Sequence, residues 1–183
     1  MATYVNTFFE TRVEKLFSLA AVVERALAAA GLEYRVVRGL AVYLYVEERE
    51  PDAGRRTRDI DIAVRREDLA AIAKAVEPFG LQYRHVAGAD MLVQAGQSRA
   101  VHIFPVTASE LGECRVLQKI RLIPVADLIR MKLTSLRLKD EMHLKDLDDA
   151  GVITPEIEST LFSNPHTTAR ADACPLTRGC TFG

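Results

Sequence analysis

Cysteine is scarce in this chain. Cys114, Cys174 and Cys180 are the three among 183 residues, an odd number with no C-x-x-C or other metal-ligand spacing. That excludes a dense disulfide framework and predicts reduced thiols in a cytoplasmic protein. The four histidines add no zinc-site spacing. No apolar run reaches about 18 residues, which excludes a hydrophobic membrane-spanning helix. The start, Met1 to Asn6, lacks a basic region followed by an apolar one and so reads as no signal peptide. Net charge is −1, so no global field attracts nucleic acid, and such contacts would need a local patch. There is no internal repeat. What remains is 49% hydrophobic and 27% charged, the balance of a globular chain with one core and at most a small appendage.

Periodicity predicts a helix over 9–30, with Phe9, Val13, Leu16, Phe17, Ala20, Val23 and Leu27 on one stripe and Gly31 as its stop. A short strand follows at 33–37. Residues 40–48 fit either a strand or a buried helix. Residues 49–58, with Pro51, Asp52 and Gly54, read as an exposed loop. A strand is predicted at 58–64, a helix at 67–79, and strands at 81–86, 91–94, 100–106 and 116–123. Pro124 opens a helix to Lys139, a second is expected over 141–150, and Thr154-Pro155 opens a third. After Phe162 the apolar pattern stops abruptly enough to suggest a sequence discontinuity, and residues 163–183 read as a disordered tail. The expected organisation is an α/β core over 1–123, C-terminal helices over 124–162, and that tail. The fold class is α+β, a mixed sheet flanked by helices with the 58–64 strand central.

The chemistry concentrates around Asp59-Ile60-Asp61-Ile62. On a strand, residues two apart share a face, with Cα atoms roughly 6.6–6.8 Å apart. Asp59 and Asp61 would then converge on one or two Mg²⁺ ions, while Ile60, Ile62 and Val64 enter the core. Arg55, Arg56 and Arg58 stand just ahead, with guanidinium forks suited to phosphate or merely to a solvated loop. Gly39, at a strand-to-helix turn, would let backbone N–H groups approach a phosphate, and Arg38 beside it adds a possible contact. Lys132 falls inside the apolar arc of Val125, Leu128, Ile129 and Leu136. It must reach solvent or find an anion, a site carboxylate or a substrate phosphate. His102 alternates with apolar neighbours and faces a cleft or the core; its imidazole could ligate a metal or act as a base. His143 and Asp146 are i,i+3 neighbours on the following helix.

Together these residues resemble the nucleotidyltransferase superfamily of polymerase-β-type fold, and within it the branch of AbiEii-type abortive-infection toxins. The resemblance rests on Val37-Arg38-Gly39-Leu40-Ala41-Val42, on Arg56-Thr57-Arg58-Asp59-Ile60-Asp61-Ile62, and on Asp127–Leu133 with Arg137–Asp140 and His143–Leu147, and it covers roughly residues 10–160. It implies Mg²⁺ or Mn²⁺ on Asp59 and Asp61, and a nucleoside triphosphate against Arg38, Gly39, Arg56, Thr57, Arg58 and Lys132. It makes Asp59, Asp61, His102, Lys132 and Asp146 the catalytic set. The implied acceptor is a hydroxyl on RNA, a protein or a small molecule, and the implied partner is a cognate antitoxin. Two positions depart from the pattern: Arg38 stands where the first glycine of the turn belongs, and His102 where a third acid belongs. They leave open a catalytically impaired relative that binds a nucleotide or a partner protein as a regulator.

Overall fold

The computed structural model describes residues 2–162, apart from residues 56, 95–99 and 136, and the side chains from residue 14 onward. Arg56 and the 163–183 tail therefore lie outside the described residues. Helix α1 (Ala2–Ala29) leads into strand β1 (Tyr34–Val37), helix α2 (Arg38–Arg49) and strand β2 (Ile60–Arg65). A 3₁₀ turn and helix α3 (Leu69–Val76) precede strands β3 (Leu81–Val86), β4 (Ala89–Gln94) and β5 (Ala100–Val106). One turn of helix α4 (Ala108–Leu111) is followed by β6 (Arg115–Leu117) and β7 (Ile120–Leu122). Three helices complete the described residues: α5 (Val125–Ser135), α6 (Leu138–Asp149) and α7 (Pro155–Phe162). Among the described residues no helix is long and apolar enough to cross a membrane.

The seven strands form one mixed sheet in the order β3-β4-β5-β2-β1-β7-β6. β2 is the middle strand, antiparallel to β1 and parallel to β5. The α+β class and the central place of this strand agree with the sequence pattern. Ile60, Ile62 and Val64 are fully buried, as the alternation requires. Asp61 and Ala63 on the other face are also withdrawn from solvent, so β2 is covered on both sides. Helix α1 packs on α3, and α2 lies against β1, β2, α5 and α6.

One open alternative is resolved and three expectations need correction. The ambiguous 40–48 segment is a helix, begun at Arg38 and buried along Leu40, Ala41, Val42, Leu44, Tyr45 and Val46. β2 starts at Ile60, so Arg58 and Asp59 sit ahead of the strand. The single strand expected at 116–123 is a two-strand hairpin. Gln118 and Lys119 turn it with φ of 48° and 65°, the paired positive values of a two-residue type I′ loop, without the Asn or Gly that usually announces one. The helix expected over 124–139 stops at Ser135, and α6 starts at Leu138 rather than at 141. At this break Ser135 Oγ donates to Asp140 Oδ2 at 2.6 Å and Arg137 Nε donates to the same oxygen at 3.1 Å. The first turn of α6 is wound around one carboxylate, which the apolar periodicity does not encode.

Candidate functional site

One row of the sheet organises the site. Val37 at the end of β1 stands opposite Asp61 on β2, and Asp61 opposite His102 on β5. Directly opposed residues share a face, and His102 Nδ1 lies 3.2 Å from Asp61 Oδ1. The Asp61 side chain is 11% exposed and that of His102 41%, so the pair has a buried end and an open end. Asp59 is exposed, immediately before the strand. Its backbone meets the Thr57 hydroxyl: Asp59 N–H donates to Oγ1 at 3.5 Å, and Oγ1 lies 3.4 Å from the Asp59 carbonyl oxygen.

Because Val37 ends β1 and caps α2, the start of α2 adjoins Asp61. No side chain caps this helix, so its first N–H groups have no partner within the helix. Arg38 has φ of 59°, a left-handed conformation that glycine adopts freely and an arginine at some cost. Its guanidinium stacks 4.0 Å from the ring centroid of Phe104, which follows His102 by two on the same face of β5. Gly39 serves a close approach. A Cβ there would meet Thr57 Oγ1 at 2.7 Å and Thr57 Cβ at 3.3 Å, so glycine lets the 50–59 loop close on α2. Arg55 from that loop holds Asp146 of α6 in a bidentate pair at 2.9 and 3.0 Å. Arg58 is exposed.

Behind α2 lies a buried polar cluster. Lys132 of α5 is 4% exposed and His143 of α6 is 5% exposed. Lys132 Nζ donates to Asp140 Oδ1 at 2.7 Å and lies 2.9 Å from His143 Nδ1. Burial lowers the Lys132 pKa against the pull of Asp140. Burial tends to raise that of Asp140, but hydrogen bonds from Lys132, Ser135 and Arg137 outweigh it and hold the carboxyl well below its usual range. A carboxylate with three donors stays ionised, and so keeps Lys132 protonated. Burial, with Lys132 and Lys139 nearby, pushes His143 down to about 4, so the ring is neutral at pH 7. His143 Cε1 lies 4.0 Å from the position of a Cβ on Gly39, which joins this cluster to the start of α2.

The expected residues therefore fall into linked groups: Asp61 with His102, Arg38 with Phe104, Gly39 with Thr57, and Lys132 apart in the buried cluster. Asp146 is engaged by Arg55. Asp140 and His143 lie in stretches the sequence marks without giving them a site role, and Phe104 is a member it does not single out. The signal for Asp140 was the unpaired Lys132 on an apolar arc; a helix break hides which carboxylate meets it. Among the described residues no group of three or more His, Cys, Asp or Glu side chains is placed to hold a metal. Asp61 supplies a carboxylate beside a half-open imidazole, and Asp59 an exposed one just ahead of the strand. Hard oxygen donors of this kind fit Mg²⁺ or Mn²⁺ completed by water and phosphate oxygens, and the imidazole favours Mn²⁺.

No protein-family model and no curated protein sequence matches the chain. Solved structures do. The antibiotic-resistance factor ANT(2″)-Ia superposes in its solution structure with a TM-score of 0.59 and 13% identity, over 87% of this chain and 96% of that one. Its crystal structure in complex with adenylyl-2″-tobramycin gives a TM-score of 0.60 at 13% identity, over 85% and 98%. An antigenic nucleotidyltransferase-like protein from Paracoccidioides brasiliensis gives 0.53 at 14% identity, over 87% and 90%. At such low identity the likeness speaks for the architecture: the chain has a nucleotidyltransferase-like fold, a mixed sheet flanked by helices.

Proposed function

We propose that this protein transfers a nucleotidyl group from a nucleoside triphosphate to a hydroxyl acceptor, with Mg²⁺ or Mn²⁺ held by Asp59 and Asp61. The observation that supports the proposal is the row Val37–Asp61–His102, with a carboxylate and an imidazole beside the start of α2 and Asp59 two residues ahead of Asp61. The cation, when bound, would neutralise charge on the phosphates. The chain's own residues do the rest. Asp61 accepts a hydrogen bond from His102 Nδ1–H, which leaves Nε2 free to take the proton of the acceptor hydroxyl. The hydroxyl oxygen bonds to the α-phosphorus, the bond to the β-phosphate oxygen breaks, and pyrophosphate leaves. Arg38, Thr57, Arg58 and the N–H groups of Arg38 and Gly39 orient the phosphates. Acceptors on RNA, a protein or a small molecule all suit this chemistry. A toxin role with a cognate antitoxin belongs to the same reading, through the 56–62 and 127–147 stretches.

Purified protein is incubated with α-labelled triphosphates, Mg²⁺ or Mn²⁺, and RNA, protein or aminoglycoside acceptors. Label should move in the native protein and not in Asp61→Asn. Absence of transfer in every fraction, or equal transfer in both proteins, refutes the proposal.

A second reading is favoured by Arg38 and His102. An arginine held at φ of 59° over Phe104 occupies the turn, and an imidazole replaces a charged acid. A regulator that binds nucleotide without turnover accommodates both. Calorimetry separates the readings: nucleotide binding that survives complete removal of divalent metal supports the regulator.

A further inference from the structure

We infer that His143 is a phosphate-contacting residue: Lys132 fixes its proton on Nε2 and so makes it a neutral hydrogen-bond donor toward an anion at the start of α2. The inference rests on the nucleotide reading above and names a contact that it does not include.

The argument begins with protons. An ammonium group donates and cannot accept. Lys132 Nζ is bonded to the ionised Asp140 and lies 2.9 Å from His143 Nδ1. Nδ1 must therefore be the accepting nitrogen, and the ring proton sits on Nε2. Among the described residues Nε2 has no hydrogen-bond partner; the residue as a whole is 5% exposed, but Nε2 is not sealed from solvent as the unpartnered Arg65 Nε and Arg130 Nε are. Its N–H is therefore a free donor at the edge of the cluster, open to water or to an anion that takes the place of water. The ring atom bonded to both nitrogens, Cε1, faces Gly39 at the uncapped start of the twelve-residue α2. That helix end, Thr57 Oγ1 and the His143 ring therefore lie together around Gly39. Helix N–H groups and a neutral N–H donor together recognise an anionic oxygen, and the chemical class that fits is one phosphate of a polyphosphate chain.

The charged groups facing the ring are consistent with this role. Lys132 comes from α5, and Lys139, Asp140 and Asp146 come from α6; the two lysines act against protonation and the two aspartates toward it. Burial outweighs them all, so the ring remains neutral from about 4 upward. Lys132 itself is spent inside the cluster, with Asp140 and His143 taking two of its three donors. It acts on the anion through His143, as a positioning residue.

Ring nitrogen resonances of the full-length, ¹⁵N-histidine-labelled protein test the idea without any reaction. Between pH 5.5 and 8, His143 should show a protonated Nε2 and an unprotonated Nδ1. Addition of sodium tripolyphosphate should shift the Nε2–H signal in a saturable way. His143→Gln, which keeps a neutral donor, should retain tripolyphosphate affinity to within about threefold, whereas His143→Leu should lose about tenfold, the value of one hydrogen bond to a charged acceptor. A proton on Nδ1, or tripolyphosphate binding that leaves the His143 signals unmoved, overturns the inference even if nucleotidyl transfer is found. A responsive His143 in a protein that transfers no label leaves the anion site standing and removes the transferase reading.

Discussion

Asp61 and His102 face one another across the parallel ladder of β2 and β5, 3.2 Å apart at Oδ1 and Nδ1. Their roles differ by exposure. The aspartate is fixed in a covered strand, its side chain 11% exposed, and the imidazole is 41% exposed. On the proposed function His102 would be the base and Asp61 the group that orients it.

Removing the imidazole should therefore lower transfer by about a hundredfold or more with little change in nucleotide affinity, the scale of a lost general base. His102→Asp should do something different. A third carboxylate gives a hard cation another oxygen donor, so the ratio of the Mg²⁺-supported to the Mn²⁺-supported rate should rise. Steady-state rates of the native protein, His102→Ala and His102→Asp in each metal check both expectations. An unchanged rate in His102→Ala would remove the imidazole from the mechanism.

The buried pair of Lys132 and Asp140 should behave as a unit. Lys132→Met leaves the buried Asp140 carboxylate with only Ser135 and the exposed Arg137 and should cost up to about 3–5 kcal/mol. Lys132→Met with Asp140→Leu removes both charges and should recover a large part of that loss. Recovery should be incomplete, because Asp140 also receives Ser135 and Arg137 and closes the first turn of α6. Urea unfolding of the two single variants and the double variant gives the coupling directly. Additive losses would mean that the two side chains do not interact energetically.

How far the sequence anticipated this site depends on the range of the interaction. Asp61, Ile60, Ile62 and Val64 sort correctly by strand alternation, a rule confined to neighbouring residues. Asp59 lies outside the strand because the Thr57 contact and the loop, rather than alternation, set its backbone. The Asp61–His102 pairing needs a crossover of about forty residues and a parallel register, which no local pattern contains. Lys132 stood out as a cation on an apolar arc, but its partner Asp140 is reached across a helix break made by side-chain hydrogen bonds. The 40–48 run was undecided because a segment apolar on nearly every position carries neither a period of 2 nor one of 3.6. The 118–119 turn was missed because its positive φ values fall on glutamine and lysine.

Acid should destabilise the fold before the carboxylates titrate. His143 has an ordinary pKa of 6.5 when unfolded and about 4 when folded. Between those values the unfolded chain binds a proton that the folded one refuses. Stability therefore falls as pH drops from about 6.5 to about 4, by about 3 kcal/mol at most. Asp140, held well below its usual range, adds a further loss at lower pH. Urea midpoints from pH 7.5 to 4 should slope downward in the native protein and be flatter in His143→Gln. Equal slopes in the two proteins would place the acid sensitivity elsewhere.

Gly39 and Thr57 make the sharpest steric prediction. Inside a helix, alanine ordinarily gains about 0.5–1 kcal/mol over glycine. Here the new Cβ would stand 2.7 Å from Thr57 Oγ1, so Gly39→Ala should instead destabilise, by about 1–3 kcal/mol from overpacking. Thr57→Ala removes the clashing hydroxyl and leaves the 3.3 Å contact with Cβ. The double variant should therefore be more stable than Gly39→Ala alone, although each single change is unfavourable. Transfer should not recover with it, because Thr57 Oγ1 also meets the backbone of Asp59 and is one of the donors around the start of α2. Stability and rate would then separate in one protein: unfolding midpoints restored, label transfer still low. Recovery of both together would reduce Thr57 to a packing residue.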